Sequence, residues 1–305
     1  MKQKYYDVNA VREAITGGLP SISTSFKENG DIDWEAIATN VEFLIASGAK
    51  TILLTYGDSL LSILTDQEVV ELTKFVVQCT NHRAMVIGCG KKWCLPQTVE
   101  FAEVCADAGC DVVIPFLPDW SQHADTDMLL NCYCEVAKKA PVMSLTNLMN
   151  GRGIPLELFE KATPDMGIVA VKDDAPAPYG RRLGTVIRDK FAYLSGGTME
   201  NFLTVAPYGA DGYLSVFFRA FPKIDEMFWS AYMGNDMRGA SEIVENYEVA
   251  FFQWCASHGV HWDAGIHGMM EIAGIGKRYC RMPYSYMTEG QMDGLREFLV
   301  DKKLI

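Results

Sequence analysis

The feature that most restricts the fold is a rhythm along the chain. Short apolar stretches rich in β-branched residues alternate with stretches whose apolar residues recur every three and four positions. The pair repeats about eight times over roughly 215 residues. The pattern predicts strands at 18–24, 51–55, 84–88, 111–115, 141–145, 167–172, 191–195 and 212–215. A lead-in helix is expected at 10–16, with further helices at 34–47, from 66 through 77, and at 98–108, 127–139, 155–162, 179–188 and 199–208. Local punctuation supports these limits. Asp31 or Asp33 can cap the second helix, Gly48 stops it, and Thr65-Asp66-Gln67-Glu68 is a capping box.

Eight strand–helix units are the period of an α/β protein of the (β/α)8 TIM-barrel type. A doubly wound sheet is the alternative, but no G-x-G-x-x-G follows the first strand. Residues 1–220 are therefore expected to form the barrel with its lead-in. Residues 221–305 carry helical spacing at 224–233, 238–255 and 266–279, and read as a C-terminal helical extension packed on it, with no linker-like run between.

With 39 acidic against 27 basic side chains and no dense Lys/Arg cluster, the chain is not expected to bind nucleic acid. The nine cysteines form no C-x-x-C pair and their number is odd, which reads as reduced thiols in a cytoplasmic protein. The histidines give no H-x-x-x-H or H-E-x-x-H spacing, so no metal is expected, and His258 and His261 read as surface residues. No signal-peptide core and no apolar run of ~18 residues is found, so no membrane contact is expected.

Gly167-Ile168-Val169-Ala170-Val171-Lys172-Asp173-Asp174 concentrates the chemistry. The apolar run reads as a strand buried on both sides, and it delivers a lysine to the C-terminal mouth of the barrel, where such folds place their reactions. An amine shielded there has its pKa lowered from ~10.4, and the neutral form can add to a ketone. The alternative is an ordinary solvated strand-end lysine. Asp173 and Asp174 are expected to cap or to form a salt bridge, with Asp173 facing away from Lys172 because neighbours on a strand alternate.

Other strand ends offer partners. Thr55-Tyr56-Gly57-Asp58-Ser59 carries hydroxyls and amides suited to a carboxylate, or is a plain loop. Ser195-Gly196-Gly197-Thr198 is either an anion cradle or a tight turn with Thr198 as N-cap, the cap being favoured for Thr198. The carbonyls of 209–215, Leu214 among them, can face a pocket. Arg152, between Gly151 and Gly153, is either a carboxylate clamp or a solvated loop residue.

Together these features resemble the dihydrodipicolinate synthase / N-acetylneuraminate lyase family of class I aldolases, over residues 15–305. The likeness rests on Ile22-Ser23-Thr24-Ser25-Phe26 with Asn29-Gly30-Asp31-Ile32-Asp33, on Thr55-Tyr56-Gly57-Asp58-Ser59 in place of T-T-G-E-S, and on Leu64-Thr65-Asp66-Gln67-Glu68. It continues through Val171-Lys172-Asp173, Gly209-Ala210-Asp211-Gly212 with Leu214-Ser215, and Arg281-Met282-Pro283. The resemblance implies a Schiff base on Lys172, no cofactor, a small pyruvate-type 2-oxo acid as substrate, and a homotetramer or homodimer. It also implies a subunit contact near Phe116, Leu117 and Trp120.

Departures from the pattern are equally informative. The Y-N-x-P segment after the fifth strand, with its proton-shuttling tyrosine, is replaced by Ser144-Leu145-Thr146-Asn147. The P-Y-Y after the fourth strand is Pro115-Phe116-Leu117. The expectation is therefore a lyase or aldolase that is not a lysine-pathway synthase. Lys172 would be the nucleophile, Thr55, Tyr56 and Gly57 would hold the carboxylate, and a hydroxyl among Tyr56, Ser144 and Thr146 would carry protons. The alternatives are a non-catalytic barrel that binds an oxo acid or sugar acid, and a dehydratase using the same imine.

Overall fold

The computed structural model describes residues 6–118, 124–148 and 152–305, with the side chains of 147, 148 and 152 left undescribed. Eight parallel strands form one sheet. In chain order they are β1 (Gly17–Leu19), β2 (Thr51–Leu53), β3 (Met85–Cys89), β4 (Val112–Ile114), β5 (Val142–Leu145), β6 (Ile168–Asp173), β7 (Ala192–Ser195) and β8 (Gly212–Leu214). From β2 to β8 each strand pairs with the next in sequence, and β1 pairs with β8. A single parallel bridge, Ser21 to Leu53, closes the ring between β1 and β2. The protein is a TIM barrel. The predicted strands all exist, most of them shorter by a residue or two at the ends.

Close approach of the first and last strands depends on glycine. Gly17 and Gly212 are register partners. A Cβ on Gly212 would overlap the Ile15 carbonyl and stand 2.6 Å from the Gly17 carbonyl, so only a bare backbone fits.

The helices obey the sequence signals. α1 (Val8–Ala14) precedes the barrel, and α2 (Trp34–Ala46) is capped by Asp33. α3 (Asp66–Thr80) opens on the Thr65/Glu68 capping box, a device worth ~1 kcal/mol. α4 (Leu95–Ala108), α5 (Thr126–Ala137), α6 (Leu156–Lys161), α7 (Ala177–Ile187) and α8 (Met199–Val205) alternate with the strands. The apolar side chains of strands and helices merge into one buried cluster, from Val11 to Phe218.

A second cluster is built mainly from the helices C-terminal to β8: α9 (Lys223–Met233), α10 (Met237–Ile243), α11 (Ala250–Ser257), α12 (Trp262–Ile272) and α13 (Glu289–Asp301). Met199, Phe202 and Tyr213 belong to it too, so barrel elements α8 and β8 contribute to both sides of the joint. A π-helical turn, Val244–Val249, links α10 to α11 within the predicted helix at 238–255. Two features depart from the sequence reading. The helix expected at 266–279 is α12, which starts at Trp262 because His261 caps it and ends before Gly274, whose φ is +74°. The terminal helix α13 was not anticipated, although Thr288 and Gln291 form a capping box at its start.

Two buried carboxylates sit at this joint. Tyr213 donates to Asp225 Oδ1 at 2.8 Å, and burial raises the Asp225 pKa to about 6. Glu248 accepts from the Met199 and Glu200 amides at the start of α8, and burial pushes its pKa up to about 7.

Candidate active site

At the C-terminal mouth of the barrel lies a cavity of about 730 Å³. Lys172 reaches it from the end of β6, with Thr55, Tyr56, Gly57 and Asp58 on one wall and Gly196, Gly197 and Asn201 on another. Cys89, Ile114, Phe116, Leu145 and Leu214 supply apolar surface, and Lys92 stands at the rim. The Lys172 side chain is only 5% exposed, so the strand presents its amine at the cavity floor rather than in bulk solvent. Burial pushes the Cys89 thiol up to about 12, which leaves it as a packing group at neutral pH.

The 55–59 loop is wired to β1 and its extension. Ser59 Oγ accepts from the Thr55 amide at 3.0 Å and donates to the Ile22 carbonyl at 2.6 Å. Thr55 Oγ1 accepts from the Asp58 amide at 3.1 Å. Ser21 donates to Asp58 Oδ2 at 2.8 Å, and Thr24 to the Ser59 carbonyl at 2.6 Å. The Gly57 amide donates to no group among the described residues and is available to a ligand. The Tyr56 ring packs on Phe116, with centroids 4.7 Å apart.

Behind this loop sits a buried charge cluster. Arg219, beyond the end of β8, places Nη2 3.8 Å from Asp58 Oδ2 and donates from Nη1 to Ser23 Oγ at 3.1 Å. Asp263 lies close enough to Asp58 for their charges to interact, and its pKa rises to about 6, first through burial. His267 is fully enclosed, which lowers its pKa to about 4. Its Nδ1 lies 3.1 Å from the Lys277 carbonyl, so the proton of the neutral ring belongs there.

Not every expected residue reaches the cavity. Lys172, Thr55, Tyr56, Gly57, Gly196 and Leu214 line it, whereas Ser144 and Thr146 do not. In β5, Leu145 is the register partner of Lys172 and Ser144 that of Val171. Alternation therefore turns Leu145 inward and Ser144 outward, where its hydroxyl is buried beside the Tyr133 phenol. Thr146 instead donates to Asp173 Oδ1 at 2.7 Å and accepts from the Asp174 amide at 3.1 Å. Asp173 also receives the Tyr193 hydroxyl at 3.0 Å and the Ala175 amide at 3.1 Å, on the opposite side of β6 from the cavity. Gly196 gives its own amide to the Asp173 carbonyl at 2.9 Å, so it offers no N–H to an anion. Thr198 is the N-cap of α8, accepting from the Asn201 amide. Trp120 and the Arg152 side chain lie outside the described residues.

Of the two roles expected for Asp174, the cap and the salt bridge, the structure shows the salt bridge, and its partner is Lys172. The Asp174 carboxylate contacts Lys172 Nζ directly, and it is 27% exposed to the cavity. The sequence signal was available, since residues two apart on a strand share a face.

The mouth of the parallel barrel thus sets a shielded lysine at the end of β6 across from an amide-bearing loop after β2. Residues 14–302 match the dihydrodipicolinate synthetase family, and the chain belongs to it. Members of that family are class I Schiff-base lyases and dehydratases. The chain is similar to a probable 5-dehydro-4-deoxyglucarate dehydratase of Bacillus licheniformis, 22% identical over 242 residues, which covers 78% of each chain. The fold matches dihydrodipicolinate synthase of Oceanobacillus iheyensis at a TM-score of 0.85 and 19% identity, covering 97% of this chain and 99% of that one. It also matches a prophage protein of E. coli K12 from the dihydrodipicolinic acid synthase family, solved with pyruvate, at a TM-score of 0.80 and 19% identity, over 95% and 99% of the two chains. No helix among the described residues is long and apolar enough to cross a membrane.

Proposed function

We propose that this protein is a lyase or aldolase that forms a Schiff base between Lys172 and a small 2-oxo acid. The observation that carries the reading is the position of the Lys172 amine: shielded, at the cavity floor, across from the 55–59 loop. The Gly57 amide and the Thr55 hydroxyl suit the carboxylate of the oxo acid. The imine is its own electron sink, so the reading requires no cofactor. The pyruvate bound in the E. coli relative supports the substrate class. A synthase of the lysine pathway is disfavoured, because Leu145 occupies the inward position level with Lys172, where a proton-carrying phenol would be needed. A dehydratase using the same imine remains the second reading, supported by a carboxylate rather than a phenol beside the lysine. We further propose a homodimer or homotetramer, with Phe116 and Leu117 near the contact.

The test is borohydride trapping with pyruvate, 2-oxobutyrate and 2-oxoglutarate, read by intact mass. Wild type should gain covalent mass on Lys172, and Lys172→Arg should not, because a guanidinium stays protonated and does not attack. Labelling that survives in the Arg variant would remove Lys172 from the reading.

A further inference from the structure

We infer that Asp174 is the acid–base residue of this site, carrying the protons that the missing hydroxyls would otherwise move. The inference rests on the lysine-imine reading above. Three observations carry it. Asp174 Oδ1 touches Lys172 Nζ, the atom that must lose a proton before it can attack. Its carboxylate is reachable from the cavity, while the Lys172 side chain is nearly enclosed. It is also held in place from two sides. Thr146 Oγ1 accepts from its amide at 3.1 Å, and Gly196 leaves open the space its carboxylate fills. Ser144 and Thr146 face elsewhere, and Leu145 offers no proton. Tyr56 is the remaining hydroxyl on the cavity wall among the candidates, but its ring is packed against Phe116.

The proton balance closes with this one group. The Lys172 ammonium gives a proton to the Asp174 carboxylate, and the free amine adds to C2 of the oxo acid. A proton passes from the new ammonium to the alkoxide, giving the neutral carbinolamine. Asp174 then returns its proton to the departing hydroxyl, which leaves as water, and the protonated imine remains beside an ionised Asp174. That carboxylate can take a proton from C3, giving the enamine and a protonated Asp174. Nothing is oxidised or reduced, and no other reactant enters.

The decisive measurement pairs two readouts on one preparation, using whichever of the three oxo acids traps best. The first is the end-point yield of borohydride trapping. The second is the rate at which the C3 protons of the oxo acid exchange in D2O, followed by proton NMR. In Asp174→Asn, trapping should persist at long incubation while exchange falls by at least ~100-fold, the usual scale of a lost general base. Added formate or acetate should restore part of the exchange, and Asp174→Glu should retain more of it than Asn.

Exchange unchanged in Asp174→Asn overturns the inference, as does exchange that vanishes only in Tyr56→Phe. Loss of trapping together with exchange, in both Asp174 variants and without rescue by formate, would make Asp174 a group that only positions Lys172. That result would leave the imine reading intact. A wild-type protein that traps none of the acids overturns the imine reading and this inference with it.

Discussion

Gly196 lies directly beneath the carboxylate of Asp174. A Cβ at position 196 would overlap Asp174 Oδ1 and stand 2.7 Å from Lys172 Nζ. The glycine of β7's exit loop is thus what allows the lysine–aspartate pair to form, a role in shaping the site rather than in donating to an anion. Its amide is already committed to the Asp173 carbonyl. Gly196→Ala should fold, since its φ lies outside the left-handed region, but should displace the pair. Misplacement of a reacting group by ~1 Å can cost ~100-fold in rate. We expect the initial rate of borohydride trapping to fall by at least ~10-fold with little change in the circular dichroism melt. An unchanged trapping rate would show that the pair relocates without consequence.

The inward position of Leu145 separates two activities. Imine formation needs the lysine and a held carboxylate, whereas condensation with an aldehyde partner needs further proton transfers. Acid–base help of that kind is worth ~10²–10⁴-fold. Wild type should therefore trap pyruvate yet show little or no dihydrodipicolinate synthesis from pyruvate and aspartate semialdehyde in a coupled assay. Turnover of order ~10 s⁻¹ would contradict this. Leu145→Tyr, which puts a phenol level with Lys172, is the variant expected to raise any residual synthase rate.

These two predictions also mark where sequence reading stops. The strands were legible because buried parallel strands read as β-branched runs, and α3 because its capping box is local. The identity of Lys172 as the lysine at a strand end was legible for the same reason. Which face of β5 meets the cavity was not. The pairing of β5 with β6 slips between Val142 and Met143, which pair with Ile168 and Ala170, so counting along either strand alone does not give the register at Lys172. Ser144 and Thr146 were misplaced by that parity. The limits of α12 follow from the His261 cap and from Gly274, local signals that the spacing of apolar residues does not show. α13 carries Gly290 and Gly294 and a largely polar sequence, which mask its capping signal.

Arg219 offers a test of the charge cluster behind the 55–59 loop. Removing it leaves Asp58 without its buried cation, a change that typically costs ~3–5 kcal/mol. Arg219→Met should lower the urea midpoint accordingly and slow oxo-acid trapping, because Asp58 helps fix the Thr55 hydroxyl. Arg219→Lys should recover part of the stability. Equal stability in wild type and the Met variant would mean that the cluster relaxes without its cation.

The pH dependence of stability should carry the mark of Asp225. Burial raises its pKa from an ordinary 3.8 to about 6, so the folded state binds this proton more tightly than the unfolded chain. The resulting penalty is complete above about pH 6 and disappears below about pH 4. Asp225→Asn keeps an acceptor for the Tyr213 hydroxyl. It should therefore be more stable than wild type at pH 8, by at most on the order of 3 kcal/mol. The difference should vanish near pH 4. A variant less stable than wild type at both pH values would show that the charge is not what costs stability here.

The single bridge between Ser21 and Leu53 has a consequence for how the ring comes apart. Two backbone hydrogen bonds hold this seam, Ile22 N–H to the Leu53 carbonyl and Leu53 N–H to the Pro20 carbonyl, and side chains finish the joint: Ser21 to Asp58, Ser59 to Ile22 and Thr24 to Ser59. The barrel behaves as a split ring with a polar clasp, and the clasp is the loop proposed to grip the substrate. Opening at that seam and release of the ligand then become one event, so a bound oxo acid should slow amide exchange at 21–24 and 53–59 before it does so anywhere on the far side of the barrel.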